Sequence, residues 1–340
     1  TIENKICFPE VFAQTLRSVS EFVHMQYRIA FIIGLLCLSN PLHAERAAFT
    51  LPNGDRYEGD VIDGVLSGSG VYEWADGDRY EGEFSNDLPS GQGLYIWADG
   101  RRYEGDFVDG KRQGYGSLTW VNGDVYEGDF FANQMQGNGT FRWAKGDRYA
   151  GSFMANKRHG VGGMSWAEGQ RYDGEFENDT LQGQGVYQWP DGRYFEGAFV
   201  GGQRTGLGVF RASDGTLFRG FFVDGQRHGH LIKRPQGGDR FLEEYRAGAL
   251  IESSLIAVNS RCKFSNAQGE WMVKADACIN GLAHGIGKAA SVTGLELVEN
   301  GEWVLGELVA GTIVALPQLT PETALSLPSP GPLGVAGVEE

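Results

Sequence analysis

Histidine and cysteine are the residues whose number and spacing would betray chemistry, and beyond residue 44 the chain holds four of the first and two of the second. The histidines are His159, His228, His230 and His284. Hydrolysis needs a nucleophile, a base and a group that orients the base. His159 and His228 each precede a Gly-x-Gly, at a position filled elsewhere by Ser67, Ser90, Gln113, Gln136, Gln182 and Thr205. A position that takes Ser, Gln or Thr reads as a solvated turn, so no triad is assembled there. His228 and His230 can share one strand face as a weak metal pair, but no cysteine stands near to complete a ligand set. Nor do the glycines build a phosphate loop: Gly-Lys-Ser and Gly-Lys-Thr do not occur, and the glycines open strands rather than helices. The sequence thus offers no catalytic, cofactor-binding or metal-ligating residue, and it is read as non-enzymatic, with no cofactor.

The two cysteines, Cys262 and Cys278, take their meaning from the start of the chain. Met25 opens a segment with Arg28 as a positive flank, an apolar run from Ile29 to Leu38, Pro41 as a breaker, and Leu42 and Ala44 at the −3 and −1 positions of a cleavage site. The run is short for a bilayer span, which takes ~20 residues. Residues 25–44 are therefore read as a signal peptide cleaved after Ala44, with an uncleaved anchor or a buried helix as alternatives. Leu36 before Cys37 argues against a lipoprotein signal. Residues 1–24 read as a non-native upstream extension. An exported chain is periplasmic or secreted, and there an even pair of cysteines reads as one disulfide, Cys262 with Cys278, against two buried thiols.

Charge narrows the partners. Residues 1–44 carry three basic and three acidic residues, so the remainder keeps the whole net charge of −15. Such a chain is repelled by nucleic-acid phosphates and by anionic head groups, which excludes nucleic acid and disfavours a membrane partner.

The elements that would position any site are dictated by a repeat. Tyr57, Tyr80, Tyr103, Tyr126, Tyr149, Tyr172, Phe195, Phe218 and Phe241 recur every 23 residues without an insertion. Two residues on stands a glycine, from Gly59 to Gly220, and two further an apolar residue such as Phe84, Phe107, Phe130 or Phe153. Period two is a strand with these positions on one face and charged residues on the other. A column restricted to Gly, Asp and Asn (Gly64, Asp87, Gly110, Asn133) marks a turn. A second strand begins Gly-x-Gly and carries Tyr72 and Trp74, then Tyr95 and Trp97, continuing with Trp120, Trp143, Trp166 and Trp189. Asn53-Gly54, Asp76-Gly77 and Asp99-Gly100 close the unit as two-residue hairpin turns. The 52 glycines, about twice the usual ~7% share, leave flat strips of backbone on which neighbouring rings can fold.

Tyr80-Glu-Gly-Glu-Phe84 and Gly91-Gln-Gly-Leu-Tyr95, spaced as they are, resemble MORN (membrane occupation and recognition nexus) repeats, here of a bacterial exported type. The resemblance implies a binding or dimerising module, sometimes lipid-associated. The expected fold is all-β: a single-layer antiparallel β-meander of about nine 23-residue hairpins over residues 45–248, forming an elongated twisted ribbon. Leu231 in place of the second Gly and Glu243 in place of the Gly after the aromatic read as a capping repeat. Residues 249–260 read as a linker, 261–316 as a small degenerate repeat-like β subdomain stapled by Cys262 and Cys278, and 317–340 as a disordered tail with five prolines.

Two columns carry the binding expectation. The aromatic groove is assigned to Tyr80, Phe84, Tyr95, Trp97, Tyr103, Phe107, Trp120, Tyr126, Phe130, Trp143, Tyr149 and Phe153, without a decision on which columns share a face. Arg112, Arg158, Arg204 and Arg227 are read as a basic row along one edge, either meeting a carboxylate-rich partner or an anionic polymer, or pairing with neighbouring acids as a solvated turn. Glu58, Glu81, Glu104, Glu127, Asp173 and Glu196 lie beside Arg56, Arg79, Arg102, Arg148 and Arg171 as cross-strand ion pairs on the outer face. The leading reading is a non-catalytic scaffold of the cell envelope that binds an unidentified protein partner or forms a homodimer. A membrane- or envelope-associated binder of lipid or anionic polymer is the alternative, and an enzyme on an envelope polymer a distant third.

Overall fold

A computed structural model of the chain describes residues 45–256, 262, 264, 271–280, 282–291, 293–304 and 307–317. The signal segment, the upstream extension and the tail beyond Pro317 lie outside the described residues. Every regular element described is a strand.

The chain divides into two compact units, Thr1–Gln134 and Met135–Glu340. The first holds β1 (Glu45–Thr50), β2 (Arg56–Ile62), β3 (Val65–Glu73), β4 (Arg79–Ser85), β5 (Leu88–Ile96), β6 (Arg102–Val108), β7 (Lys111–Thr119) and β8 (Val125–Phe131). The division falls at the start of β9 (Gln134–Arg142). There follow β10 (Arg148–Met154), β11 (Lys157–Ser165), β12 (Arg171–Glu177), β13 (Thr180–Gln188), β14 (Tyr194–Val200), β15 (Gln203–Arg211), β16 (Leu217–Val223), β17 (Gln226–Arg234), β18 (Phe241–Arg246) and β19 (Ala249–Leu255). These 19 strands form one sheet, each antiparallel to the next in sequence. A second, 5-stranded antiparallel sheet comprises β20 (Trp271–Ile279), β21 (Leu282–Ser291), β22 (Glu296–Val304), β23 (Glu307–Ala310) and β24 (Ile313–Ala315).

Register decides which columns share a face. Tyr80 stands opposite Tyr72 on one side and Tyr95 on the other, while Phe84 stands opposite Gly68 and Pro89. Directly opposed residues project from the same side of an antiparallel sheet. The Tyr, Phe, Trp and Leu66-Pro89-Arg112 columns therefore all share one face. Between Gly82 and Phe84 the register slips by two residues, a bulge that turns the Glu83 carbonyl to accept a hydrogen bond from the Tyr80 hydroxyl at 2.8 Å. The ring thus lies along its own strand, over Gly82 and Gly93. A Cβ on Gly82 would stand 2.6 Å from both the Gly93 Cα and the Tyr80 hydroxyl, so only glycine fits beneath the ring.

Tyr80, Tyr103, Tyr149 and Tyr172 each also meet two phenylalanines edge-on, their own repeat's and the next. Tyr80 touches Phe84 and Phe107, each at 5.1 Å between centroids, and Tyr172 touches Phe176 and Phe199, each at 5.2 Å. Within each unit this file of edge-to-face contacts forms the core, worth ~0.5–1.5 kcal/mol per pair beyond buried area.

The two turns differ from the sequence reading. Asp87, Asn133, Asn156 and Asp179 have positive φ, and so do the residues before them, Asn86, Ala132, Ala155 and Asn178. Two consecutive positive φ values make the two-residue turn that matches strand twist. At Asp76-Gly77 only the glycine is positive, at +103°, because the loop there is one residue longer. Trp74 accepts from Gly77 N at 3.0 Å and donates to the Asp78 carbonyl at 2.9 Å, enclosing a three-residue loop in place of the expected two.

The end of the array also differs. Ala249–Leu255, read as linker, are strand β19, hairpinned onto β18 through Ala247 and Gly248 at positive φ. The departures at Glu243 and Leu231 thus lie one and two strands inside the edge. Leu231 is fully buried and Glu243 is 1% exposed, its carboxylate meeting Lys233 at 3.1 Å, Ser253 at 3.2 Å and the Tyr245 hydroxyl at 2.6 Å. The second sheet packs on the opposite face, where Ile232 and Leu242 meet Met272, Ala290 and Leu297. Its other side buries Trp303 with Phe264, Trp271 and Cys262, which is disulfide-bonded to the exposed Cys278, the two Cα atoms 5.4 Å apart.

Candidate functional site

The structure separates the aromatic groove into two layers. Tyr80, Phe84, Tyr103, Phe107, Tyr126, Phe130, Tyr149 and Phe153 are each at most 4% exposed, so these eight form the core and not a groove wall. They were assigned to a surface because period two reveals a shared face but not the glycine slots into which the rings sink. Tyr95, Trp97, Trp120 and Trp143 are half-buried and remain reachable. The indoles sit at strand ends, where the three-residue loop begins; Trp97 leans on Tyr95 at 4.7 Å and Trp143 on Phe141 at 4.4 Å.

The arginine row is also placed differently. Arg112, Arg158, Arg204 and Arg227 are neither an edge row nor a solvated turn. Phe107 faces Arg112 across the strands, Phe153 faces Arg158, Phe199 faces Arg204 and Phe222 faces Arg227. That register lays the guanidiniums over the rings. Arg112 lies 5.4 Å from the Trp97 ring centre, 5.6 Å from Tyr103 and 5.4 Å from Phe130. Arg158 has a carboxylate partner, Asp179, at 3.0 Å, whereas the Arg112 side chain donates to the Asn133 carbonyl at 2.8 Å and the Arg204 side chain to that of Gly225. Burial pushes the guanidinium pKa of Arg112 and of Arg204 down, and the nearby charge of Arg101 or Arg193 acts in the same direction.

Arg101 and Arg193 escaped the sequence reading, yet they complete the arrangement. Their column is otherwise acidic at Asp55, Asp78, Asp124 and Asp147. In that column a carboxylate pins the next loop, as Asp55 does by accepting from Tyr72 at 2.8 Å and from Ala75 N at 2.9 Å. Where arginine replaces it, the side chain turns onto the indole. Arg101 stands 4.9 Å from Trp97, and Arg193 stands 5.2 Å from Trp189, with Arg204 at 5.6 Å. Each unit therefore holds one copy of a half-buried indole contacted by two guanidiniums, Trp97 with Arg101 and Arg112 in the first and Trp189 with Arg193 and Arg204 in the second. Asp99 and Asp191 pair with the outer arginine of each, at 2.8 and 2.7 Å. Such a cluster presents an apolar plate beside excess positive charge, which suits a carboxylate next to an apolar side chain.

The outer-face pairs form mainly within one strand, Arg79 with Glu81 at 2.7 Å and Arg102 with Glu104 at 2.8 Å, with Arg79–Glu73 at 3.7 Å running across strands. Exposed pairs of this kind contribute little. His159 and His228 lie within strands β11 and β17 rather than in turns, since the glycine that follows each belongs to the strand. His230 shares the face of His228 but is held by Glu299 at 3.1 Å, joining the array to the second sheet. Among the described residues no group of three or more His, Cys, Asp or Glu is placed to hold a metal ion.

The family model for the MORN repeat matches residues 57–79, 80–101, 103–125, 126–148, 149–171, 172–192, 195–217 and 218–230. No curated protein matches the chain. Among solved structures, the chain is similar to the TCP10 domain of Danio rerio CPAP at 15% identity, covering 61% of this chain and 99% of that one, with a TM-score of 0.35. It is similar also to the SAS-4 TCP domain of Drosophila melanogaster, solved with a proline-rich motif of Ana2, at 13% identity, 62% and 99% coverage and a TM-score of 0.29.

Proposed function

This chain belongs to the MORN repeat family, and from that premise we propose that it is a non-catalytic scaffold of the cell envelope whose aromatic face binds a protein partner. The observation that carries the reading is the indole with two guanidiniums, present at Trp97 and again at Trp189. An acidic segment with an apolar or aromatic side chain beside its carboxylate fits that chemistry. The inner arginine supplies a guanidinium that is already largely desolvated, so a carboxylate arriving there recovers an interaction the folded chain leaves unmade. Residues 25–44 act in this reading as an export signal removed after Ala44, which brings the scaffold to the periplasm or beyond. A second copy of the chain is the second reading for the partner, because its outer face is rich in the carboxylates that these arginines would take.

The test joins light scattering on the exported chain to capture of partners from envelope extract. Replacing the exposed outer arginines together, Arg101→Gln and Arg193→Gln, removes the clusters while leaving the ring core intact. Loss of a charge-assisted contact is expected to weaken retention by roughly tenfold per cluster. A dimer that dissociates in the variant assigns the second reading. Unchanged retention and unchanged oligomeric state would overturn both.

A further inference from the structure

The face opposite the rings carries through much of the array a same-strand pair of one arginine and one carboxylate, as in Arg79 with Glu81 and Arg171 with Asp173, each at 2.7 Å. In β16 both members change: Leu217 occupies the arginine position and Arg219 the carboxylate position. The neighbouring strands amplify the inversion. Arg211 on β15 and Arg234 on β17 both stand opposite Leu217, which puts them on the same face as Arg219 and diagonal to it.

Arg219 is 9% exposed, among the described residues its guanidinium forms no hydrogen bond or ion pair, and its Nε is buried with no acceptor. A guanidinium does not shed its proton, so the charge stays. Burying an unpaired charge is strongly unfavourable, and native structures normally supply a counter-charge. A chain with net charge −15 has carboxylates to spare, yet Glu196, two strands away on this face beyond Val209, accepts from the Tyr194 hydroxyl at 2.9 Å. Two residues before Arg219 on the same strand face, the surface dips over Leu217, between Arg211 and Arg234 and against Pro235 and Gln236.

We propose that Arg219, with Arg211 and Arg234 diagonal to it on the same face, anchors a binding site for a tetrahedral oxyanion, a phosphate or sulfate group that enters through this depression. Guanidinium forks match the oxygens of such a group, and a dianion answers more than one of them. The shallow dip admits a terminal group, free or as the end of a small ester.

Titration calorimetry and thermal melts of the full chain, with sodium phosphate against sodium chloride at matched ionic strength, test the proposal. One saturable site is expected, with a rise in melting temperature. Arg219→Met is expected to abolish binding and, in phosphate-free buffer, to melt no lower than the parent. Arg234→Ser, at an exposed position, is expected to weaken binding ~10-fold, and Arg102→Ser to leave it unchanged. Glycerol phosphate tighter than phosphate assigns an ester, and the reverse assigns the free ion. Equal responses of the parent and Arg234→Ser, or binding lost equally in Arg102→Ser, would overturn the site even where Arg219→Met fails to fold.

Discussion

Replacing Gly82 by alanine tests whether the rings are seated on bare backbone. The added Cβ would lie 2.6 Å from the Gln92 carbonyl, the Gly93 Cα and the Tyr80 hydroxyl. Two of those atoms are backbone of the adjoining strand and cannot swing away. Relief requires either parting β4 from β5 or lifting Tyr80. Overpacking of this kind costs ~1–3 kcal/mol. Lifting the ring adds loss of the Tyr80 to Glu83 hydrogen bond, ~1 kcal/mol, and weakens two edge-to-face contacts of ~0.5–1.5 kcal/mol each. Alanine returns ~0.4–1 kcal/mol by restricting the unfolded chain. The net expectation is about 2–4 kcal/mol of destabilisation. Gly100→Ala is the comparison within the same unit. There φ is +93° and the nearest atom to a new Cβ is the Val121 Cγ2 at 3.6 Å, so only backbone strain of ~1 kcal/mol remains. Urea unfolding followed by circular dichroism reads both as shifts in midpoint. A Gly82→Ala cost at or below that of Gly100→Ala would refute ring seating as the reason for the glycine.

Two further expectations concern pH. Burial pushes the hydroxyls of Tyr57, Tyr80, Tyr103, Tyr126, Tyr149 and Tyr172 well above their ordinary pKa of 10.0. The unfolded chain releases these protons first, so stability is complete below pH 10 and falls above it, by up to about 1.4 kcal/mol per pH unit for each tyrosine in the unfolding unit; urea midpoints that stay level between pH 9 and 11 would contradict this. At the junction of the two sheets, hydrogen bonds from Lys274 and Lys288 draw Glu252 down to about 2, while hydrogen bonds from Lys288 and from His230 hold Glu244 and Glu299 below the usual carboxylate range. Folded-state values below the unfolded ones mean stability that is present above about pH 4.5 and lost as pH falls toward 2, which fluorescence of the buried Trp303 should report as a transition preceding loss of the array.

The strands, their length and the turn columns were legible because a strict period exposes every position nine times over. What stayed hidden was set by register. Whether Arg112 belongs to an edge or to the ring face depends on the bulge after Gly82 and its equivalents, and a bulge leaves no mark in a repeat that contains it in every copy. The depth of Tyr80 depends on the glycine across the strand, Gly93, rather than on anything beside it in sequence. Arg101 and Arg193 were visible as exceptions in an acidic column, but the column had no assigned purpose until Asp55 was seen pinning the following loop. The Ala249–Leu255 segment had lost the aromatic and Gly-x-Gly signals, and only its turn residue, Gly248, pointed to another strand.

The file of rings has a consequence for how such a chain can change length. Tyr80 engages the phenylalanine of its own hairpin and that of the next, and Tyr103 does the same with Phe107 and Phe130, at 5.1 and 5.0 Å. Every link is therefore interchangeable with its neighbour. Gene duplication or loss of 23 residues joins like to like and preserves the contacts on both sides of the seam. An insertion of one residue in a strand would turn the rings out to water and the carboxylates inward. Natural variation in this protein should thus proceed in whole hairpins, with point changes at the loops and at the few arginines that differ from copy to copy.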